Sequence, residues 1–134
     1  MSKVGQREIK TQQRVITFLR DALGYRRQLR ALLPPLLAKW APGIGRTASE
    51  VRIKRMKTRW GSCNTPARRV WLNLELIKKP VGCLEYVLVH ELVHLHERHH
   101  NDRFVEWMDR LLPAWRVHRD ELNRAPLAPE EWTY

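Results

Sequence analysis

The run His90-Glu91-Leu92-Val93-His94 constrains this chain more than any other stretch in it. Residues four apart on a helix sit about 40° apart around the axis and rise about 6 Å, so two histidines at that spacing face one way. Two imidazoles so placed can hold one zinc ion through bonds of roughly 2.0–2.1 Å. Glu91 falls on a neighbouring azimuth, where a carboxylate can reach a water on the metal without ligating it. That is the layout of a metal-dependent hydrolase. Val81, Leu84, Leu88, Leu92 and Leu95 recur at helical spacing through the same region. The motif therefore belongs on a core helix rather than in a solvated histidine-rich tract.

A catalytic zinc needs three protein ligands and one open position. Of the six histidines in the chain, five fall between His90 and His100, so the third ligand has several claimants. On a continuing helix His100 would lie about 9 Å beyond His94 and roughly 80° off the face of His90. It can ligate only if the helix stops after His94 and the chain turns back. The polar segment His99-His100-Asn101-Asp102 allows that, with Asn101 or Asp102 as N-cap of a new helix through Met108. His99 is the main rival to His100. A glutamate from a later helix, Glu106 or Glu121, is the other alternative. His96 points well away from His94, and His118 reads as a surface residue or a support behind the ligands.

These residues resemble a known family. Lys57-Thr58-Arg59-Trp60-Gly61-Ser62-Cys63, Val70-Trp71-Leu72-Asn73-Leu74, Pro80, the histidine motif, His99-His100-Asn101 and Phe104 together are similar to the YgjP-like zinc metallopeptidases, relatives of the SprT and WLM zincins. The resemblance runs from about Val51 to Asn123. It implies His90, His94 and His100 as zinc ligands and Glu91 as catalytic base, acting on protein or peptide substrates. The chain departs from the family pattern at His99, where Asn is usual, and at Asn101, where Ser is usual. Helix-like sequence stands where larger family members carry a long strand-rich N-terminal portion.

The fold expected is α+β, a minimal zincin-like arrangement of N-terminal helices, a small antiparallel sheet, the motif helix and C-terminal helices. Residues 1–46 read as a basic helical segment of the same domain, 47–124 as the metallopeptidase core and 125–134 as a proline-punctuated tail. Pro34-Pro35 predicts a kink or a new helix start within the first segment. Val51–Met56 and Arg69–Asn73 read as two strands forming a hairpin around the turn Asn64–Ala67. Trp60-Gly61-Ser62 is expected near the sheet edge beside the metal, where an extended peptide can add as a strand. Arg59, Tyr86, Arg116 and His118 are candidate donors to a developing oxyanion. Asp102, Glu97 and Asn73 are candidates for orienting a ligand imidazole. In the tail, Glu130 or Glu131 could fold over the cleft and occupy the open metal position.

Composition bounds the rest. At 134 residues the chain is one domain. No apolar run approaches the ~18 residues of a transmembrane helix, and no secretory leader is evident. Cys63 and Cys83 form no CxxC. An intracellular, cytoplasmic protein with two small buried thiols is the reading they favour. The net charge of +11 is concentrated in residues 1–60, which hold 15 Lys+Arg against 3 Asp+Glu. Such a half suits DNA or another polyanion. A non-proteolytic nucleic-acid-binding domain with a structural zinc is therefore the alternative function.

Overall fold

The structure is a computed structural model that describes residues 3–124, with side chains given for Gln12 and from Leu23 onward. The tail 125–134, and with it the reading of Glu130 or Glu131 as a plug, lies outside the described residues. Four helices and a three-stranded sheet make up an α+β fold. In chain order they are α1 (Lys3–Ile44), β1 (Glu50–Lys54), β2 (Gly61–Asn64), β3 (Arg69–Asn73), a 3-10 turn (Leu74–Lys78), α2 (Val81–Val93), α3 (Asp102–Leu111) and α4 (Trp115–Arg124).

The N-terminal segment is one helix rather than two, because α1 continues through Pro34 and Pro35. A helix-interior proline costs about 3 kcal/mol by removing a hydrogen bond and crowding the preceding turn. Here both prolines lie on the exposed face, where water can serve the freed carbonyls. The opposite face buries Leu29 and Leu33 in the core, each worth roughly 1.5–3 kcal/mol. That apolar stripe carries the helix across the break. It ends at Gly45, whose positive φ of 76° lets its N–H reach back to the Ala41 carbonyl at 2.9 Å.

The sheet is mixed, with strand order β1-β3-β2. The expected antiparallel pairing of Val51–Met56 with Arg69–Asn73 is wrong: β1 runs parallel to β3, with Glu50 opposite Arg69 and Lys54 opposite Asn73, and the antiparallel partner of β3 is β2. Residues 55–68 are too long for a hairpin and contain β2 themselves, so β1 reaches β3 by a crossover. Ser49 sets the register. Its N–H and hydroxyl donate to the Arg68 carbonyl, and its hydroxyl to that of Ala67. The Glu50 carboxylate then takes a hydrogen bond from Arg69 at 2.5 Å. Strand β2 escaped the sequence reading because Gly-Ser-Cys-Asn has none of the β-branched alternation that marks a strand.

Helix α2 lies at the centre, buried from Cys83 through Val93 except at the half-buried Glu85. The sheet supplies Ile53, Val70 and Leu72 to the same core, and α4 supplies Trp115 and Leu122. Such a helix places His90 and Glu91, at 1% and 2% exposure, deep in the protein. The apolar residues of its other faces offset the cost of burying them.

Candidate metal centre

Helix α2 ends at Val93, and His94 is its C-cap. The chain then turns through residues 94–100 and enters α3 at Asn101, whose Oδ1 accepts from the Phe104 N–H at 3.0 Å. This reversal brings His100 back over the first two histidines. His100 Nε2 lies 3.1 Å from His90 Nε2 and 3.0 Å from His94 Nε2. Among the described residues these three side chains form the one group of potential metal ligands whose donor atoms all lie within 4.8 Å of each other. His99 is exposed and outside it, as is Glu106, and Glu121 is paired with Arg124 at 2.7 Å.

The turn is held from behind. His94 Nδ1 donates to the Glu97 carbonyl at 3.0 Å, which leaves its Nε2 lone pair facing the cluster. The Glu97 carboxylate accepts from Asn101 Nδ2 at 2.7 Å. Arg46 donates to the Leu95 carbonyl at 2.6 Å, and His96 Nε2 meets the Ile44 carbonyl at 2.5 Å while stacking on Trp107. The C-terminus of α1 thus anchors the metal turn, a long-range tie that the sequence did not reveal. Phe104 packs against all three imidazoles, with centroid distances of 4.8–4.9 Å.

Replacing Asn101 by alanine removes both the cap and the brace to Glu97. It is expected to cost about 1 kcal/mol of stability and to weaken metal retention toward the lower end of the roughly 10–100-fold seen when outer supports of a site are lost. Thermal unfolding and metal titration measure the two effects. Asn101→Ser, which keeps a cap acceptor without setting a second carboxylate beside Glu97, should recover most of the stability.

Burial pushes the three imidazoles below the ordinary histidine range. His90 is well below it, His94 is lowered, and His100 falls to about 4 with help from His94 and His99. All three are therefore neutral donors near pH 7, the form a metal requires. Burial acts oppositely on Glu91, raising its carboxyl to about 8 against a lowering by Arg59. Glu91 Oε1 stands 3.7 Å from His90 Nε2, and its Oε2 has no hydrogen-bond partner among the described residues.

The cluster opens onto a cleft of about 700 Å³ bounded on one side by β2. Gly61 is what lets β2 approach α2. A Cβ there would stand 2.7 Å from Val87 Cγ1, 3.0 Å from Glu91 Cγ and 3.1 Å from the Trp71 carbonyl. Gly61→Ala is expected to destabilise the protein by about 1–3 kcal/mol. An unchanged urea midpoint would show that the contact can relax.

Of the four candidate oxyanion donors, Arg59 alone lines the cleft. Tyr86 is buried below His90, ring edge against ring at 5.9 Å. Arg116 is paired with Asp109 at 2.8 Å, and His118 stacks on Tyr86. Asn73 does not touch a ligand. Its buried amide donates to the Met56 and Arg59 carbonyls and so holds the loop that carries Arg59. Arg98, which the sequence did not single out, also faces the cleft. Cys83 is buried as expected, whereas Cys63 is half-buried and lines the cleft, its thiol pushed up to about 12 by burial and the Glu91 charge.

The YgjP-like metallopeptidase domain matches residues 3–125. The chain belongs to that family. The match takes in α1 as well as the 51–123 stretch, so the long basic helix is part of the family domain. The fold is similar to that of the metallopeptidase zymogen of Pyrococcus abyssi abylysin, at 20% identity and a TM-score of 0.61 over 67% of this chain and 90% of that one. It is also similar to the metallopeptidase zymogen of Methanocaldococcus jannaschii jannalysin, at 17% identity and a TM-score of 0.51 over 62% of this chain and 88% of that one. No curated protein matches the chain. The family makes this chain a metallopeptidase, an enzyme that acts on protein or peptide with the aid of a metal ion. No helix among the described residues is long and apolar enough to cross a membrane.

Proposed function

We propose that the chain is a zinc-dependent peptidase in which His90, His94 and His100 hold the ion and Glu91 is the general base. The convergence of three neutral Nε2 donors on one point carries the reading. Donors at tetrahedral positions about 2.0–2.1 Å from zinc lie roughly 3.3 Å apart, close to the 3.0 and 3.1 Å separations here. Imidazole donors suit zinc among the common metals, and calcium or magnesium would ask for oxygen ligands. Bound there, zinc supplies a Lewis acid and a water acidified toward neutral pH.

The chain's own residues supply the rest. Glu91 takes a proton from the attacking water and passes it to the leaving amine, with one carboxyl oxygen beside His90 and the other without a hydrogen-bond partner among the described residues. Arg59 faces the charge that develops on the carbonyl oxygen. The open edge of β2 receives the substrate as an added strand, since β2 pairs with β3 on one side and the cleft lies on the other. Trp60 and Phe104 exclude water from behind as core residues.

A structural zinc in a non-proteolytic nucleic-acid-binding domain is less well supported, because such sites are closed by four protein ligands. Among the described residues this one has three and opens onto a wide cleft. Recruitment to DNA or another polyanion by residues 1–60 rests on their charge alone. Two free cysteines favour the cytoplasm. The test is hydrolysis of a diverse peptide mixture by untagged protein, before and after chelation and after zinc is restored. Cleavage lost and regained in that order supports the reading, and no chelator-sensitive cleavage of any peptide overturns it.

A further inference from the structure

A second groove leads off the metal cleft and is lined by four cations, Lys54, Arg55, Lys57 and Arg59. It has a volume of about 370 Å³ and shares Arg59, Ser62 and Trp71 with the main cleft before running on past Lys57 and Lys54. Ser62 and Trp71 are cross-strand partners, so the groove lies where β2 and β3 meet the segment 54–59 that leads toward β2. Arg55 in the same groove is turned toward Glu75 at 3.2 Å, and neighbouring Arg52 toward Glu50 at 2.8 Å. No carboxylate among the described residues stands within ion-pair distance of Lys54, Lys57 or Arg59. Main cleft and groove together are lined by one carboxylate, the buried Glu91, against Lys54, Arg55, Lys57, Arg59 and Arg98.

We infer that this groove is a specificity site for acidic side chains of the substrate, on the side of the scissile bond that runs past Gly61 toward Lys57. The inference rests on the peptidase reading above. A peptide strand added along β2 passes directly from the metal to Arg59 and Lys57, and carboxylates at alternate residues would meet them. Exposed cations with few carboxylates near them, gathered at one end of a cleft, favour such a strand over a neutral one. A nucleic-acid strand is the competing occupant, but single-strand binders offer open aromatic faces for base stacking. The Trp71 ring is instead occupied by Lys54 at 4.8 Å and Arg52 at 5.3 Å. Its part is to hold cations in place.

The test uses full-length, zinc-loaded protein bearing Glu91→Gln, so that bound peptide is not consumed. Two fluorescent peptides identical but for three Glu or three Gln are titrated in about 0.15 M salt, where charges more than ~8 Å apart are screened. The acidic peptide should bind about tenfold more tightly, a few surface ion pairs' worth. Adding Lys54→Glu and Lys57→Glu should bring the ratio to about one, with zinc content unchanged as proof of an intact site. Lys57→Gln alone should give an intermediate ratio. Equal affinities in the parent protein, or a ratio unmoved by the charge reversals, overturns the inference. So does a single-stranded oligonucleotide that binds more tightly than the acidic peptide and is lost with the same reversals. If protein with Glu91 intact cleaves nothing in the diverse peptide mixture while the binding preference persists, the hydrolase reading fails and the acidic-peptide site stands.

Discussion

Replacing His100 by alanine is expected to empty the metal site. Untagged wild type should carry about one zinc per chain by mass spectrometry, and the variant should retain less than about a tenth of that after dialysis. Losing an outer support of a zinc site already costs roughly 10–100-fold in affinity, so removal of one of three ligands must cost at least the upper end of that range. His90→Ala and His94→Ala should do the same. His90 is buried, so that variant also leaves a hole beside Phe104 and should be read together with its unfolding midpoint. His99→Ala is the control. Its side chain is exposed and outside the cluster, and zinc content should not change. Zinc that survives His100→Ala and disappears in His99→Ala would reverse the assignment.

Glu91→Gln should abolish turnover while leaving zinc in place. A positioned general base contributes on the order of 10²–10⁴ in rate, and the amide matches the carboxylate in shape while being unable to take a proton. The exchange removes a group that burial holds in an unfavourable environment for charge, with one oxygen unpartnered among the described residues. Folding stability should therefore hold or rise slightly. The measurements are steady-state hydrolysis and metal content on the same sample. Activity within tenfold of wild type would move the base elsewhere in the cleft. Loss of zinc together with activity would instead show that Glu91 helps retain the ion.

Both expectations draw on features local in the sequence. The His90/His94 pair, the position of Glu91 and the stop before Asn101 are local features. Helical period fixes which side chains share a face, and an asparagine that can cap a helix marks where a new one begins. The choice of His100 over His99 was not local. Adjacent residues in a turn differ in direction by an amount that depends on the whole path from His94 to Asn101. That path is set by Arg46, just past the end of α1, which holds the Leu95 carbonyl, and by His96, which meets the carbonyl of Ile44 some fifty residues away.

The sheet shows the same division. Arg69–Asn73 announced itself as a strand by its alternation, whereas Gly61–Asn64 has no strand-like composition and owes its conformation to pairing with β3 and to the contact of Gly61 with α2. Alternation says which residues of β1 face inward, but nothing in it says whether the partner runs parallel or antiparallel. Ser49 decides that by fastening the start of β1 to the turn before β3. The prolines of α1 are a third case. Local chemistry asked for a break at Pro34-Pro35, and burial of Leu29 and Leu33 on the opposite face overrode it. By itself the sequence determined the helix that carries His90, Glu91 and His94 on neighbouring faces, and where it ends, because those depend on residues within a few turns of one another. Tertiary structure decided which further imidazole meets that pair, the strand at the cleft and the groove beyond it, because each depends on burial and hydrogen bonds between segments distant along the chain.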